Sequence, residues 1–126
     1  MEKRRIYIDF DGVITNYENG WQGHHVCNDT RNDEIHRWFW SISTDFEFVV
    51  LSGRALTWRG RRCIRWWLKD NGYPPLRVTC KKAGDYIFYI DDRGWSYRKG
   101  HSVLPSRKEV NRFQPWCKEE QMNGST

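Results

Sequence analysis

Short apolar runs that end in polar residues recur along the chain and predict the strands of a sheet. The predicted strands cover residues 4–9, 46–51, 77–80 and 86–90. The first run, Ile6-Tyr7-Ile8, is apolar on both faces. That pattern is typical of a central strand in a parallel sheet, which is buried on both sides.

Between these runs, apolar residues recur at the spacing of helices. Residues 33–43 place Ile35, Trp38, Phe39 and Ile42 on one face, at i, i+3, i+4 and i+7. Further helices are predicted over residues 55–71, where Gly72 supplies the C-terminal stop, and over residues 108–113. Strands that alternate with helices predict an α/β fold with a mainly parallel sheet.

The helix over residues 55–71 has two contrasting faces. Its predicted buried stripe comprises Leu56, Gly60, Cys63, Ile64, Trp67 and Leu68. Its other side carries Arg59, Arg62, Arg65, Trp66 and Lys69. A solvated basic face is the preferred interpretation, and contact with nucleic acid through one exposed tryptophan is the alternative.

A polar, turn-rich segment over residues 15–34 separates the first strand from the first helix. We expect a loop with a small hairpin around Asn19-Gly20. Because it follows the first strand directly, this loop is placed to cover what lies at that strand's end. Tyr17, Trp21, His24 and His25 are its candidates for substrate contact.

Each predicted strand ends in residues that can carry chemistry. They are Asp9 and Asp11, then Ser52, Gly53 and Arg54, then Lys81 and Lys82, and finally Asp91 and Asp92. The carboxyl ends of parallel strands form the ligand-binding edge of an open α/β sheet. Two acids spaced i, i+2 on an extended strand point the same way, and a divalent cation would offset their repulsion.

Composition narrows the class of protein. The chain of 126 residues carries a formal net charge of +5, which favours anionic partners. No apolar run approaches the roughly 20 residues of a membrane span, so no membrane partner is expected. The four cysteines are widely spaced without a Cys-x-x-Cys pair, which is typical of free thiols in a reducing, cytoplasmic compartment.

The strand-end residues together resemble the motifs of the haloacid dehalogenase-like superfamily, and most closely its small capless members from bacteria and their phages. Asp9-x-Asp11-Gly12-Val13 resembles the first motif, and the strand ending in Ser52-Gly53-Arg54 resembles the second. Lys81 or Lys82 would supply the third motif, with Lys82 preferred, and Asp91-Asp92 resembles the two-acid form of the fourth.

The resemblance implies a Rossmann-like three-layer sandwich without a sizeable cap domain, and a magnesium-dependent phosphohydrolase. Asp9 would be the nucleophile, Asp11 the general acid and base, and the lysine the partner of phosphate charge. The phosphate-binding residues would be Ser52, Gly53, Arg54 and Lys81. Mg²⁺ would be held by Asp9, by Asp11 through its backbone carbonyl, and by Asp91 and Asp92, with Asp92 the preferred direct ligand.

One domain is expected over residues 1–126, with its core over about 4–97 and a C-terminal extension over 98–126. The expected substrate is a small phosphorylated metabolite or a nucleotide. Two alternatives stay open: a phosphatase that acts on nucleic-acid ends, and a non-catalytic binding protein on the same fold. The sequence leaves open which lysine is the motif lysine.

Overall fold

The computed structural model describes residues 3–84, 86, 88–93, 99–100 and 104–112. The chain divides into two compact units, Met1–Asp91 and Asp92–Thr126. This boundary lies before the end of the core predicted over residues 4–97, and the single-domain organisation stays a prediction. In the second unit, the short helix predicted over residues 108–113 is observed as a helix over Arg107–Arg112.

In the first unit, helices and strands alternate as predicted. The elements are β1 (Arg4–Asp9), α1 (Asp33–Ile42), β2 (Phe46–Leu51), α2 (Trp58–Asp70), β3 (Arg77–Thr79) and β4 (Phe88–Ile90). Asn32 caps α1, since its side chain accepts hydrogen bonds from the backbone N–H groups of Glu34 and Ile35. The strand predicted over residues 77–80 is shorter in the structure, where it covers Arg77–Thr79. Of the strand predicted over residues 86–90, Phe88–Ile90 is observed, and residue 87 lies outside the described residues.

The four strands form one parallel sheet in the order β3-β2-β1-β4. The α/β fold with a parallel sheet is therefore confirmed. The chain proceeds from β1 outward through β2 to β3 and then returns to place β4 on the other side of β1. The order of strands therefore reverses between β1 and β4, and ligands of open α/β sheets bind outside the carboxyl ends of the strands at such a point.

Both helices of the first unit cover the same face of the sheet. Ile6, Ile8 and Val50 of that face pack in one cluster with Phe39 of α1 and Ile64 of α2. The opposite face presents a smaller cluster, formed by Tyr7, Val49, Leu51 and Tyr89. The described part of this unit thus has a sheet layer and one helix layer, and the three-layer arrangement stays a prediction.

The second helix starts later than the pattern predicts. Gly53–Leu56 forms a short 3-10 turn, and Thr57 then adopts an extended conformation as the N-cap of α2, with its hydroxyl accepting from Gly60 N–H at 3.0 Å. This break changes the helical phase, so Leu56 is 69% exposed. Its assignment to the buried stripe was wrong because the stripe begins only at Gly60.

The loop after the first strand is closed at its base. Thr15 and Arg31 form an isolated antiparallel bridge, and Asn32 N–H donates to the Ile14 carbonyl at 2.9 Å. Within the loop, Gly20 N–H donates to the Tyr17 carbonyl at 3.2 Å, which makes a turn where the hairpin was predicted. Joined ends and internal bonds are typical of an ordered loop.

Candidate active site

The first of the two acids, Asp9, is the last residue of β1. The chain then makes one wide turn over Phe10–Ile14, closed by a 3.1 Å hydrogen bond from Thr15 N–H to the Phe10 carbonyl. Gly12 has φ +87°, a left-handed conformation that only glycine adopts freely. Asp11 therefore lies in the turn, beyond the last residue of the strand, with an extended backbone of its own (φ −71°, ψ 123°). The common orientation of the two acids that the i, i+2 spacing predicts stays a prediction.

The register of the sheet brings several strand ends to the level of Asp9. Asp9 pairs with Leu51 of β2, and Leu51 pairs with Thr79 of β3. On the other side Ile8 pairs with Ile90, so the next residue, Asp91, follows at the level of Asp9. Neighbouring strands lie about 4.8 Å apart. Two carboxylates thus occupy the carboxyl edge of the sheet where the strand order reverses.

Asp11 forms an ion pair with the side chain of Arg54. Nε of Arg54 donates to Oδ2 at 2.9 Å and to Oδ1 at 3.2 Å, and Nη2 donates to Oδ1 at 3.1 Å. Burial lowers the pKa of Arg54, but the hydrogen bonds and charge of Asp11 raise it, and the net shift is upward. The guanidinium therefore stays charged beside the Asp11 carboxylate.

Arg54 also fastens the loop to the strand ends. Its Nη1 donates to the carbonyls of Gly23 and Val26 at 2.5 and 2.7 Å, and the Trp21 ring lies 4.8 Å from its central carbon. The residue is 1% exposed. Of the five N–H donors of a guanidinium, four are thereby committed to the protein, which leaves one for a phosphate oxygen.

The residues before Arg54 shape the same corner. Ser52 is buried, and its hydroxyl accepts a hydrogen bond from Arg54 N–H at 3.1 Å, while its own N–H donates to the Thr79 carbonyl. Gly53 is exposed, and a Cβ there would meet open space. Ser52 thus sits at the carboxyl end of β2 as predicted, and Gly53 leaves room beside it.

The two candidate lysines are placed differently. The Lys82 ammonium lies 4.3 Å from the centre of the Tyr89 ring, while Lys81 N–H donates to the Thr79 hydroxyl. Tyr89 pairs with Tyr7, which precedes Asp9 by two residues and so lies on the same strand face. Lys82 therefore lies over the strand face from which Asp9 projects.

The acids at the strand ends are the candidate ligands for a metal ion. Among the residues that the structure describes, no group of three or more His, Cys, Asp or Glu is arranged to hold a metal ion. Magnesium needs less, because it is commonly held by one or two carboxylates, a phosphate oxygen and several waters. Asp9 and Asp91 fit that smaller requirement, and Asp92 begins the second unit, so its part in the site stays a prediction.

Sequence reasoning missed the most extensive contact at this corner. The Asp11–Arg54 pair joins residues 43 positions apart, and Arg54 was assigned only to phosphate. The sequence does contain a signal for this pair. Neighbouring parallel strands bring the residues just beyond their carboxyl ends together, and Asp11 and Arg54 occupy such positions. The loop's dependence on Arg54 left no signal, because Gly23 and Val26 contribute only backbone carbonyls.

Comparison with protein-family models, curated proteins and solved structures finds no match to the chain. Among the described helices, none is both long and apolar enough to cross a membrane. The established properties of the protein are therefore its α/β architecture, its parallel sheet and the geometry of the strand ends.

Proposed function

We propose that the protein is a magnesium-dependent phosphohydrolase that cleaves a phosphomonoester through an aspartyl-phosphate intermediate. The observation that carries this proposal is the position of Asp9 and Asp91 at the carboxyl ends of adjacent parallel strands, where the strand order reverses. Carboxylates at this edge suit the binding of a metal-bound phosphate. The resemblance of the strand-end residues to haloacid dehalogenase-like phosphatases agrees with this geometry.

Asp9 would attack the phosphorus atom with a carboxylate oxygen. The bond between phosphorus and the leaving-group oxygen breaks, and an acyl phosphate forms on Asp9. Water then attacks that phosphorus, releases inorganic phosphate and restores the carboxylate. A magnesium ion held by Asp9 and Asp91 would neutralise phosphate charge during both steps. The Lys82 ammonium, on the same strand face, would add a second positive charge.

Asp11 would donate the proton that the leaving-group oxygen needs and would take a proton from the attacking water. In the structure both of its oxygens accept hydrogen bonds from Arg54. Acid–base work therefore requires at least one of these bonds to open. Since Arg54 is also held by Gly23 and Val26, we expect Asp11 to move while Arg54 stays in place.

The direct test is a phosphatase assay of wild type and Asp9→Asn. The substrates are an aryl phosphate, nucleotides, and oligonucleotides with a 3′- or 5′-phosphate, each with magnesium and with a chelator. We expect magnesium-dependent release of phosphate, reduced on the order of 10³-fold or more in Asp9→Asn. Asp45→Asn is the matched control and should retain activity, because Asp45 is an exposed acid that precedes the amino end of β2, at the edge of the sheet opposite the candidate site.

Two results would contradict the proposal. Full activity in Asp9→Asn would remove Asp9 as the nucleophile. Absence of activity on every substrate would favour a binding protein on this fold. Magnesium binding has its own readout: the ion should raise the melting temperature of wild type, because it binds the folded state. That increase should be smaller in Asp91→Asn and unchanged in Asp45→Asn.

A further inference from the structure

Helix α2 carries most of the excess positive charge of the protein. Its 13 residues include five cations and one carboxylate, a net charge of +4, whereas the whole chain has a net charge of +5. The cations are Arg59, Arg61, Arg62, Arg65 and Lys69. So concentrated a charge attracts anions to one face of the molecule.

No cation of α2 forms an ion pair with another described residue. The ion pairs that the described residues do form include Arg5–Glu47, Arg31–Asp33 and Arg54–Asp11. The first turn of α2 contains no acid, although cations near a helix N-terminus are unfavourable. Like charges at i, i+4, such as Arg61 and Arg65, also repel each other. The basic face therefore reduces the stability of the helix.

Two tryptophans accompany these cations on the same side of α2. Trp58 is 59% exposed and Trp66 is 55% exposed. They lie eight residues apart, which is about 12 Å along a helix. Between and beside them lies an open groove of about 410 Å³, lined by Trp58, Arg61, Arg62, Arg65, Trp66 and Lys69. Exposed aromatic side chains that share one groove with polar residues around them are typical of an interaction site.

A second groove continues the first. It has a volume of about 460 Å³ and shares Arg65 and Lys69 with it, and its far side is formed by residues 73–76, which include Pro74 and Pro75. The two grooves together run from the start of α2 past its C-terminal end, and the second adds a mainly apolar wall to the basic first groove. A ligand longer than a single nucleotide fits such a surface better than a small metabolite does.

We propose that this surface, the α2 groove, binds single-stranded nucleic acid. Exposed indole rings stack on unpaired bases, and the cations between them pair with the phosphates that link those bases. An acidic peptide would satisfy the cations but would leave the indoles without a stacking partner. A duplex would satisfy the cations but keeps its base faces covered. The combination of Trp58, Trp66 and the intervening arginines favours the single strand.

The groove begins close in sequence to the candidate active site. Trp58 follows Ser52 by only six residues, across the 3-10 turn at the carboxyl edge of the sheet. A strand bound along α2 would therefore have one end directed toward that edge. If the proposed phosphohydrolase activity holds, its substrate class would be a phosphorylated nucleic-acid end. Binding in the groove does not depend on that activity.

Binding can be measured without catalysis. A fluorescently labelled single-stranded oligonucleotide that lacks terminal phosphates is titrated with the full chain in a chelator, and anisotropy is recorded at several salt concentrations. Single-strand binding weakens by a log–log slope of about 0.7 per phosphate contact, so four contacts predict a slope of about −3. We expect the double variant Arg62→Glu, Arg65→Glu to bind at least tenfold more weakly, with a smaller slope.

Matched variants distinguish binding in the α2 groove from attraction by the net charge of the protein and from unfolding of the variant. Arg37→Glu reverses one exposed charge on α1 and should leave affinity within about twofold of wild type, whereas Arg65→Glu should not. Trp66→Ala should weaken binding about tenfold, and Trp66→Phe should restore part of it. Circular dichroism confirms that each variant is folded.

Three results would overturn the proposal. The first is the absence of oligonucleotide binding by wild type at low salt. The second is an equal loss in Arg37→Glu and Arg65→Glu, which would make the attraction a property of net charge. The third is tighter binding of polyglutamate or of duplex than of the single strand. Each of these results is independent of the phosphatase assay, so failure of one proposal does not decide the other.

Discussion

The guanidinium of Arg54 holds the Asp11 carboxylate with hydrogen bonds of 2.9 to 3.2 Å, and both side chains lie just beyond the ends of adjacent strands. The same guanidinium donates to two loop carbonyls. One buried side chain therefore links the turn after β1, the end of β2 and the loop. This relationship leads to the first prediction.

Replacement of Arg54 by Met should destabilise the protein by about 3 kcal/mol, because it leaves the Asp11 carboxylate unpaired. Urea unfolding measures the effect as a lower midpoint. Arg62→Met is the matched control, since Arg62 is exposed and outside any ion pair of the described residues, and it should change stability by less than about 0.5 kcal/mol. If Arg54→Met loses no more stability than Arg62→Met, the Asp11–Arg54 pair does not stabilise the fold.

Gly60 allows α2 to approach the backbone of Arg54. A Cβ at Gly60 would lie 1.8 Å from the Arg54 carbonyl oxygen, whereas a Cβ at Gly53 would meet open space. At a helix position with free space around it, Gly→Ala stabilises a protein by up to about 1 kcal/mol. A loss of stability in Gly60→Ala would therefore indicate the close contact with Arg54. Gly60→Ala should instead destabilise by about 1 to 3 kcal/mol, and Gly53→Ala should be close to neutral. Thermal unfolding of both variants measures the difference, and a stabilised Gly60→Ala would contradict the contact.

Tyr73 should make stability fall at alkaline pH. Burial raises the pKa of Tyr73 to about 12, with a lowering contribution from Arg31 and a raising one from Asp33. An unfolded tyrosine titrates near pH 10, so between pH 10 and about 12 the unfolded state releases a proton that the folded state retains. The contribution of Tyr73 to the free energy of unfolding is therefore fully present below pH 10, and this contribution is lost as the pH rises toward 12.

Tyr73→Phe should remove that part of the alkaline decline. It should not destabilise the protein at pH 7, because the Tyr73 hydroxyl is buried with no hydrogen-bond partner among the described residues. Urea unfolding at pH 7, 10 and 11.5 measures both effects, and Tyr86→Phe, at a more exposed tyrosine, is the control. A Tyr73→Phe variant with the same decline as wild type would contradict the prediction.

The two lysines can be separated by activity. Because the Lys82 ammonium lies over Tyr89, on the strand face that carries Asp9, Lys82→Gln should lower kcat by about 100-fold. Lys81→Gln should retain kcat within a few-fold and alter KM at most. Steady-state kinetics with an aryl phosphate measures the difference, and the reverse result would make Lys81 the motif lysine. This prediction rests on the proposed phosphohydrolase activity.

Local pattern was enough to predict the strands and helices of the first unit. Continuous apolar runs and helical spacing are properties of neighbouring residues, so β1, β2 and α1 begin and end within a residue or two of the predicted bounds. The pattern failed at Leu56, where Thr57 interrupts the helix. A cap that resets helical phase changes which side chains face the core, and periodicity alone does not reveal it.

The sequence by itself determined that polar residues end each strand, because each run and its last residues are contiguous. Only the tertiary structure decided which of these residues meet. The order β3-β2-β1-β4 places Asp9 next to Asp91, and the wide turn at Gly12 directs Asp11 to Arg54. The Asp11–Arg54 contact and the neighbouring positions of Asp9 and Asp91 relate residues 43 or more positions apart. They depend on strand order and on the path of one turn, which no local run of residues encodes.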